Sequence, residues 1–199
     1  MLSKQLQEFI ATFEKLPVLG PRQATRLAFK LIREGAPLVK SLIARLEGLL
    51  EVKVCTQCFF IHTNDGSLCT ICSDPSRIQD VIMVVEKETD VMSIEKTHRF
   101  QGRYLVIGEL TRSGALEAWQ KSRVQLLKQS IQKLPNQKAK EIILALNPTT
   151  YGDLNAQLLK KELEEYSDSI TRLGRGIPTG GEIEFADIDT LSHSLERRG

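Results

Sequence analysis

Cysteine occurs four times in this chain, as Cys55-x2-Cys58 and Cys69-x2-Cys72, with ten residues between the two pairs. Knuckles of that spacing turn four thiolates on to one centre, the donor set of a tetrahedral zinc ion. The intervening Asn64-Asp65-Gly66-Ser67 is a turn signal that folds one knuckle towards the other. Two disulfides or four free thiols are the alternatives. The start of the chain, Met1-Leu2-Ser3-Lys4-Gln5, has no apolar leader, so a cytoplasmic setting with reduced thiols is expected. No apolar run approaches the roughly 18 residues that cross a bilayer. Four thiolates leave no open position for a catalytic water, so the zinc is expected to be structural, holding a segment too small for a core of its own. His62 lies inside the loop as a rival ligand.

A second constellation is cationic. Arg22, Arg26, Lys30 and Arg33 recur at spacings of four, four and three, which places them in one stripe of a helix. The stripe begins just after Leu16-Pro17-Val18-Leu19-Gly20-Pro21, a break that sets Pro21 at the first helical position. Free N–H groups and the positive end of the helix dipole favour phosphate at such a place. A solvated helix face is the plainer explanation of the same charges. Net charge is only +2, but residues 1–53 hold nine Lys or Arg against five Glu, a local +4. A basic module on a near-neutral body predicts a localised polyanion contact.

The elements that must position these groups change character along the chain. Leu6, Phe9, Ile10 and Phe13 mark an amphipathic helix over 5–15. Ala24, Leu27, Ala28, Leu31 and Ile32 mark the apolar face of the second helix, with Phe29 expected in the core, and a third helix covers about 37–50. From Asp80 the apolar run Val81-Ile82-Met83-Val84-Val85 reads as a strand buried on both faces. A helix (88–96), a strand (104–107), a helix (115–133), a strand (141–146), a helix (153–166) and a short strand with Ile170 and Leu173 follow. Strand and helix alternate, which predicts an α/β domain with a parallel sheet.

In this order the parts resemble the RecR family of bacterial recombination mediators over nearly the whole chain. The resemblance rests on Leu16-Pro17, Gly20-Pro21-Arg22, Ala24 and Arg26-Leu27-Ala28-Phe29, on Asn147-Pro148-Thr149, and on Gly176-Ile177-Pro178-Thr179-Gly180-Gly181-Glu182 with Thr190-Leu191-Ser192-His193-Ser194-Leu195. It implies a helix-hairpin-helix module over 1–53, a four-cysteine zinc finger over 54–78, a Toprim domain over 79–173 and a glycine-rich tail over 174–199 that helps close a ring. It also implies sequence-independent DNA binding, partnership with RecO and in many bacteria RecF, a homo-oligomer of dimer or tetramer form, and no enzymatic activity.

Three departures from the family pattern stand out. Val18 replaces the first glycine of the hairpin turn. Glu109-Leu110-Thr111-Arg112-Ser113-Gly114 replaces a Ser-Pro-Leu-x-Gly stretch, which predicts a remodelled loop. Tyr151 and Asp153 stand in Asn147-Pro148-Thr149-Thr150-Tyr151-Gly152-Asp153 where the family carries two glutamates. In catalytic Toprim proteins a glutamate after the first strand and later acids hold Mg2+, whose hard oxygen ligands Glu86, Glu88, Asp90 and Asp153 resemble. The alternative function is therefore a Mg2+-dependent nuclease or primase-like enzyme using Glu86 and Asp153. The plainer reading makes these surface acids for docking or helix capping. Gly174 to Gly181 lacks the Gly-Lys-Ser/Thr ending of a phosphate loop, so its glycines are read as turn formers and His193 as a packed or interface residue. The expected DNA contacts are Arg22 and Arg26, supported by Lys30; a protein-binding adaptor with no DNA contact is the third possibility.

Overall fold

The computed structural model describes residues 2–111 and 114–196, so Arg112 and Ser113 of the expected remodelled loop and the last three residues of the tail lie outside the described residues. The chain divides into two compact units, 1–52 and 53–199.

The first unit is three helices: α1 (Lys4–Phe13), α2 (Pro21–Glu34) and α3 (Ala36–Gly48). Among its described residues only Ala24 and Ala28 of α2 are fully buried. Small residues there let the helices approach closely, and Phe9 stacks on Phe13 with ring centres 4.1 Å apart. Phe29, expected in the core, is instead 42% exposed. One step past Ala28 on a 3.6-residue repeat turns it some 100° off the packed face.

The second unit is built on a four-stranded, wholly parallel sheet in the order β4-β3-β5-β6, from β3 (Val81–Val85), β4 (Arg103–Val106), β5 (Glu141–Ala145) and β6 (Ile170–Arg172). Helices α5 (Glu88–Glu95), α6 (Ala118–Gln132) and α7 (Thr150–Leu163) connect the strands in chain order, and α8 (Ile188–Glu196) closes the tail. Alternation along the strands separates two cores. Ile82, Val84, Leu105, Ile142 and Leu144 face α6 and α7, meeting Val124, Leu127, Ile131, Leu159 and Leu163. Met83, Val85, Tyr104 and Val106 face the other way, on to Val91 of α5 and on to Cys55, Cys58 and Cys69. The cysteine knuckles thus cover part of the sheet's second face, a place that a helix takes in most doubly covered sheets.

The knuckles carry a two-stranded antiparallel ribbon, β1 (Lys53–Val54) with β2 (Ile61–His62), and the single turn α4 (Thr70–Ser73). They are fastened to the sheet edge. The Val106 N–H donates to the Cys58 carbonyl at 2.8 Å, and the Val106 carbonyl accepts from Arg123 Nη1 at 2.8 Å. The Arg123 guanidinium lies 4.6 Å from the Phe59 ring centre and 4.7 Å from that of Trp119, joining knuckle to α6 by cation–π contact. The outward backbone groups of Val106 on edge strand β4 are in this way satisfied rather than left as a template for other chains.

Candidate nucleic-acid interface and metal centre

The four cysteine sulfurs lie within 4.8 Å of one another, and Cys58 Sγ is 3.5 Å from Cys69 Sγ. A metal–sulfur bond of about 2.3 Å in a tetrahedron sets neighbouring sulfurs about 3.8 Å apart, so the cluster has the dimensions of a metal site. Three of the cysteines are buried and Cys72 is half-buried. Backbone N–H groups of Phe60 and Cys72 point at Cys58 Sγ (3.5 Å) and Cys69 Sγ (3.4 Å), contacts that favour thiolate. Sharing a proton with Cys58 pulls the Cys69 thiol well below the usual thiol range. His62 does not join them: its Nδ1 accepts from the Asn64 N–H at 3.2 Å. Lys53 Nζ donates to the carbonyls of Asn64 and Asp65, both at 3.1 Å, and so pins the turn that the sequence placed there.

In the helical unit Arg22, Arg26 and Lys30 are exposed on α2, and among the described residues no acid forms an ion pair with any of them. Arg33 turns back, its Nε donating to the Phe29 carbonyl at 3.3 Å. Gly20 at the N-cap offers no side chain, so no side-chain hydrogen bond caps the first turn of α2. Val18, in the turn before it, has φ +72° and is 96% exposed. The backbone there takes the left-handed form that glycine adopts without cost, and a β-branched residue holds it under strain.

The acids at the carboxyl ends of the strands are otherwise engaged. Glu86 is not the surface acid expected: it is 7% exposed, and its Oε1 accepts the Asn147 N–H at 2.8 Å. That bond ties β3 to β5 where the strand order reverses, the crevice in which open α/β sheets bind ligands. Asp90 Oδ2 accepts the Lys87 N–H at 2.8 Å and caps α5. Asp153 is held by Arg172, at 2.7 Å, and by Arg175 through both carboxylate oxygens. Arg175, and then Arg172, hold the Asp153 carboxyl below the usual carboxylate range despite some burial. Tyr151 is exposed on the first turn of α7. Among the described residues the four cysteines are the one group of three or more His, Cys, Asp or Glu gathered closely enough to hold a metal. The arginines on Asp153 were missed in the sequence, where they stand 19 and 22 positions away with no periodic relation to it.

Gly152 explains part of the Asn-Pro-Thr segment. Thr149 Oγ1 caps α7 by accepting the Gly152 N–H at 3.0 Å, and a Cβ on residue 152 would fall on the Asn147 carbonyl oxygen. The backbone must pass too close for any side chain.

Comparison with known proteins places these features. The Toprim domain family matches residues 80–174, and the family described as RecR, C-terminal, matches residues 176–198. The protein named Recombination protein RecR of Gloeobacter violaceus is 34% identical over 202 residues, covering 100% of this chain and 98% of that one. The chain belongs to the RecR family. RecR proteins of the same printed name from Chloroflexus aurantiacus (36% identical, 100% and 95% covered) and Bifidobacterium animalis subsp. lactis (37%, 97% and 94%) match it likewise. These matches run over the whole length of the chain, from the helical unit to the tail. No described helix is long and apolar enough to cross a membrane.

Proposed function

We propose that this RecR-family chain is a DNA-binding recombination mediator with no catalytic activity of its own, acting in the bacterial cytoplasm on nucleoid DNA. The observation that carries the DNA-binding part is the row of unpaired cations, Arg22, Arg26 and Lys30, at the uncapped start of α2. Charges left without acids in a folded protein are available to phosphate, and phosphate contacts read no sequence. Zinc on Cys55, Cys58, Cys69 and Cys72 serves structure: the ion completes the surface that covers one face of the sheet, and four thiolates leave it no site for substrate.

Partnership with RecO, and with RecF where it occurs, is part of the proposal; Glu86 and Asp153, expected as docking acids, serve instead to hold the sheet end together. Self-association is the other part. Large apolar residues are exposed on α3 (Leu42, Ile43, Leu46) and in the tail (Ile183, Phe185, Ile188), as expected of surfaces that meet another copy. A ring of subunits would multiply weak contacts and hold DNA topologically. The enzyme alternative finds less support. Its two named acids are occupied by Asn147 and by two arginines, and Mg2+ needs carboxylates free to face it.

The test is retention of duplex DNA of unrelated sequences by the wild type and by Arg22→Glu/Arg26→Glu, with mass in solution measured alongside. Equal retention of all sequences by the wild type, and its loss in the variant at unchanged mass, is the expected result. Retention that survives the double reversal places the DNA contacts elsewhere, failure of the wild type itself to retain DNA leaves the adaptor reading, and Mg2+-dependent cleavage abolished by Glu86→Gln would establish the enzyme.

A further inference from the structure

Arg103 opens edge strand β4, yet it is only 6% exposed, and its Nε and Nη2 atoms are buried without a hydrogen-bond partner. No acid forms an ion pair with it among the described residues; Cys72 and Asp80 attract it only from longer range. Burial lowers its pKa, but a guanidinium stays charged across the ordinary pH range. A buried charge with open donors is costly, and it persists where something supplies the acceptor.

The surroundings have room for one. Arg103 lines a cavity of about 600 Å3 between the first knuckle and α6. Lys133 brings a second cation to its wall, Gln57 and Gln129 bring amides, and no carboxylate lines it. Leu126 and Leu134 give it an apolar side. The volume falls within the range of small-molecule sites, whose pattern is apolar walls with a few convergent polar groups.

We propose that this cavity binds a phosphate group carried on a small, partly apolar body, of which a nucleoside monophosphate is the simplest example. The phosphate takes Arg103 and Lys133, and the body lies along Leu126 and Leu134. None of the cavity's lining residues belongs to α2, and the proposal does not depend on the DNA-binding reading.

Thermal unfolding of the full chain with its metal, titrated with inorganic phosphate or adenosine monophosphate against chloride at matched ionic strength, tests it. A saturable rise in melting temperature is expected, at lower concentration for the nucleotide. Lys133→Ala, at the solvent side of the wall, keeps the fold and weakens binding about tenfold, the scale of one charge-assisted contact. Arg103→Met melts higher than the wild type without ligand and no longer responds to phosphate. Should that variant fail to fold, the Nε–H resonance of Arg103 in the wild type gives the reading: a shift saturating with nucleotide supports the site. A 5′-phosphorylated oligonucleotide tested in the Arg22→Glu/Arg26→Glu background distinguishes sources, since a response to it alone assigns the same phosphate site to a strand end. No saturable response to any of the three, one matched by chloride, or one unchanged in both cavity variants overturns the proposal.

Discussion

Two sets of arginines sit in this molecule in opposite conditions. Arg22 and Arg26 are exposed on α2 and form no ion pair among the described residues, whereas Arg172 and Arg175, in and after the last strand, are both committed to Asp153. Among its described residues the first unit buries two alanines and leaves its charges to solvent; the second gathers a two-faced core and cross-satisfies the charged groups at its strand ends. Local charge counts therefore mislead. An arginine is available to phosphate only where the fold has not already answered it.

The contrast depends first on the second unit being held together. Removing the metal, or replacing Cys58 by Ser, exposes the sheet face that the knuckles cover. Structural zinc supplies on the order of 10 kcal/mol to small sites, so most of this unit's stability should go. Thermal unfolding with metal content measured in parallel reads the loss, and an unchanged melting curve in metal-free protein would show the knuckles to be ornamental.

The next effect is on DNA. Arg22→Glu/Arg26→Glu is expected to lower duplex affinity by about 100-fold or more at low salt, by removing two attractions and adding two repulsions. Arg172→Ala and Arg175→Ala should each change it by no more than a few-fold, because those cations are already spent on Asp153. Freeing them sharpens the point: Asp153→Asn should raise affinity for polyanions several-fold, measured by the same binding assay.

Acid titration gives a smaller signal. Because Asp153 is pulled below its ordinary value of 3.8, its ion pairs stabilise the folded state above that pH, and the contribution fades as pH falls through the lower, folded-state value. Stability below about pH 4 should therefore depend less on pH in Asp153→Asn than in the wild type. With the side chain 39% exposed the difference is modest. Smallest of all, Val18→Gly relieves a left-handed residue and should stabilise the first unit by about 1 kcal/mol, offset in part by glycine's greater freedom when unfolded.

What could be read before the fold follows how local each signal is. Cys55 to Cys72 report their site because all four ligands lie within one short segment, and the strands at Val81, Tyr104 and Glu141 announce themselves as apolar runs between helices. The ribbon of Lys53–Val54 with Ile61–His62 is too short to show a period. Helix α8 carried a usable sign in Asp187, whose carboxylate accepts the Thr190 N–H and hydroxyl at 2.8 Å each. The pairing of Asp153 with Arg172 and Arg175, the burial of Glu86 and the unpartnered Arg103 depend on contacts between distant segments, which spacing does not encode. Phe29 shows the opposite error, an aromatic counted as core from its type when its helical phase turns it outward.

The dependence of duplex affinity on salt bears most directly on the unpaired cations of α2. Each neutralised phosphate contributes about −0.9 to the slope of log affinity against log salt, so loss of Arg22 and Arg26 should make the slope shallower by about 1.8 per engaged subunit. A double variant with the wild-type slope and affinity would place the DNA contacts elsewhere and contradict the account.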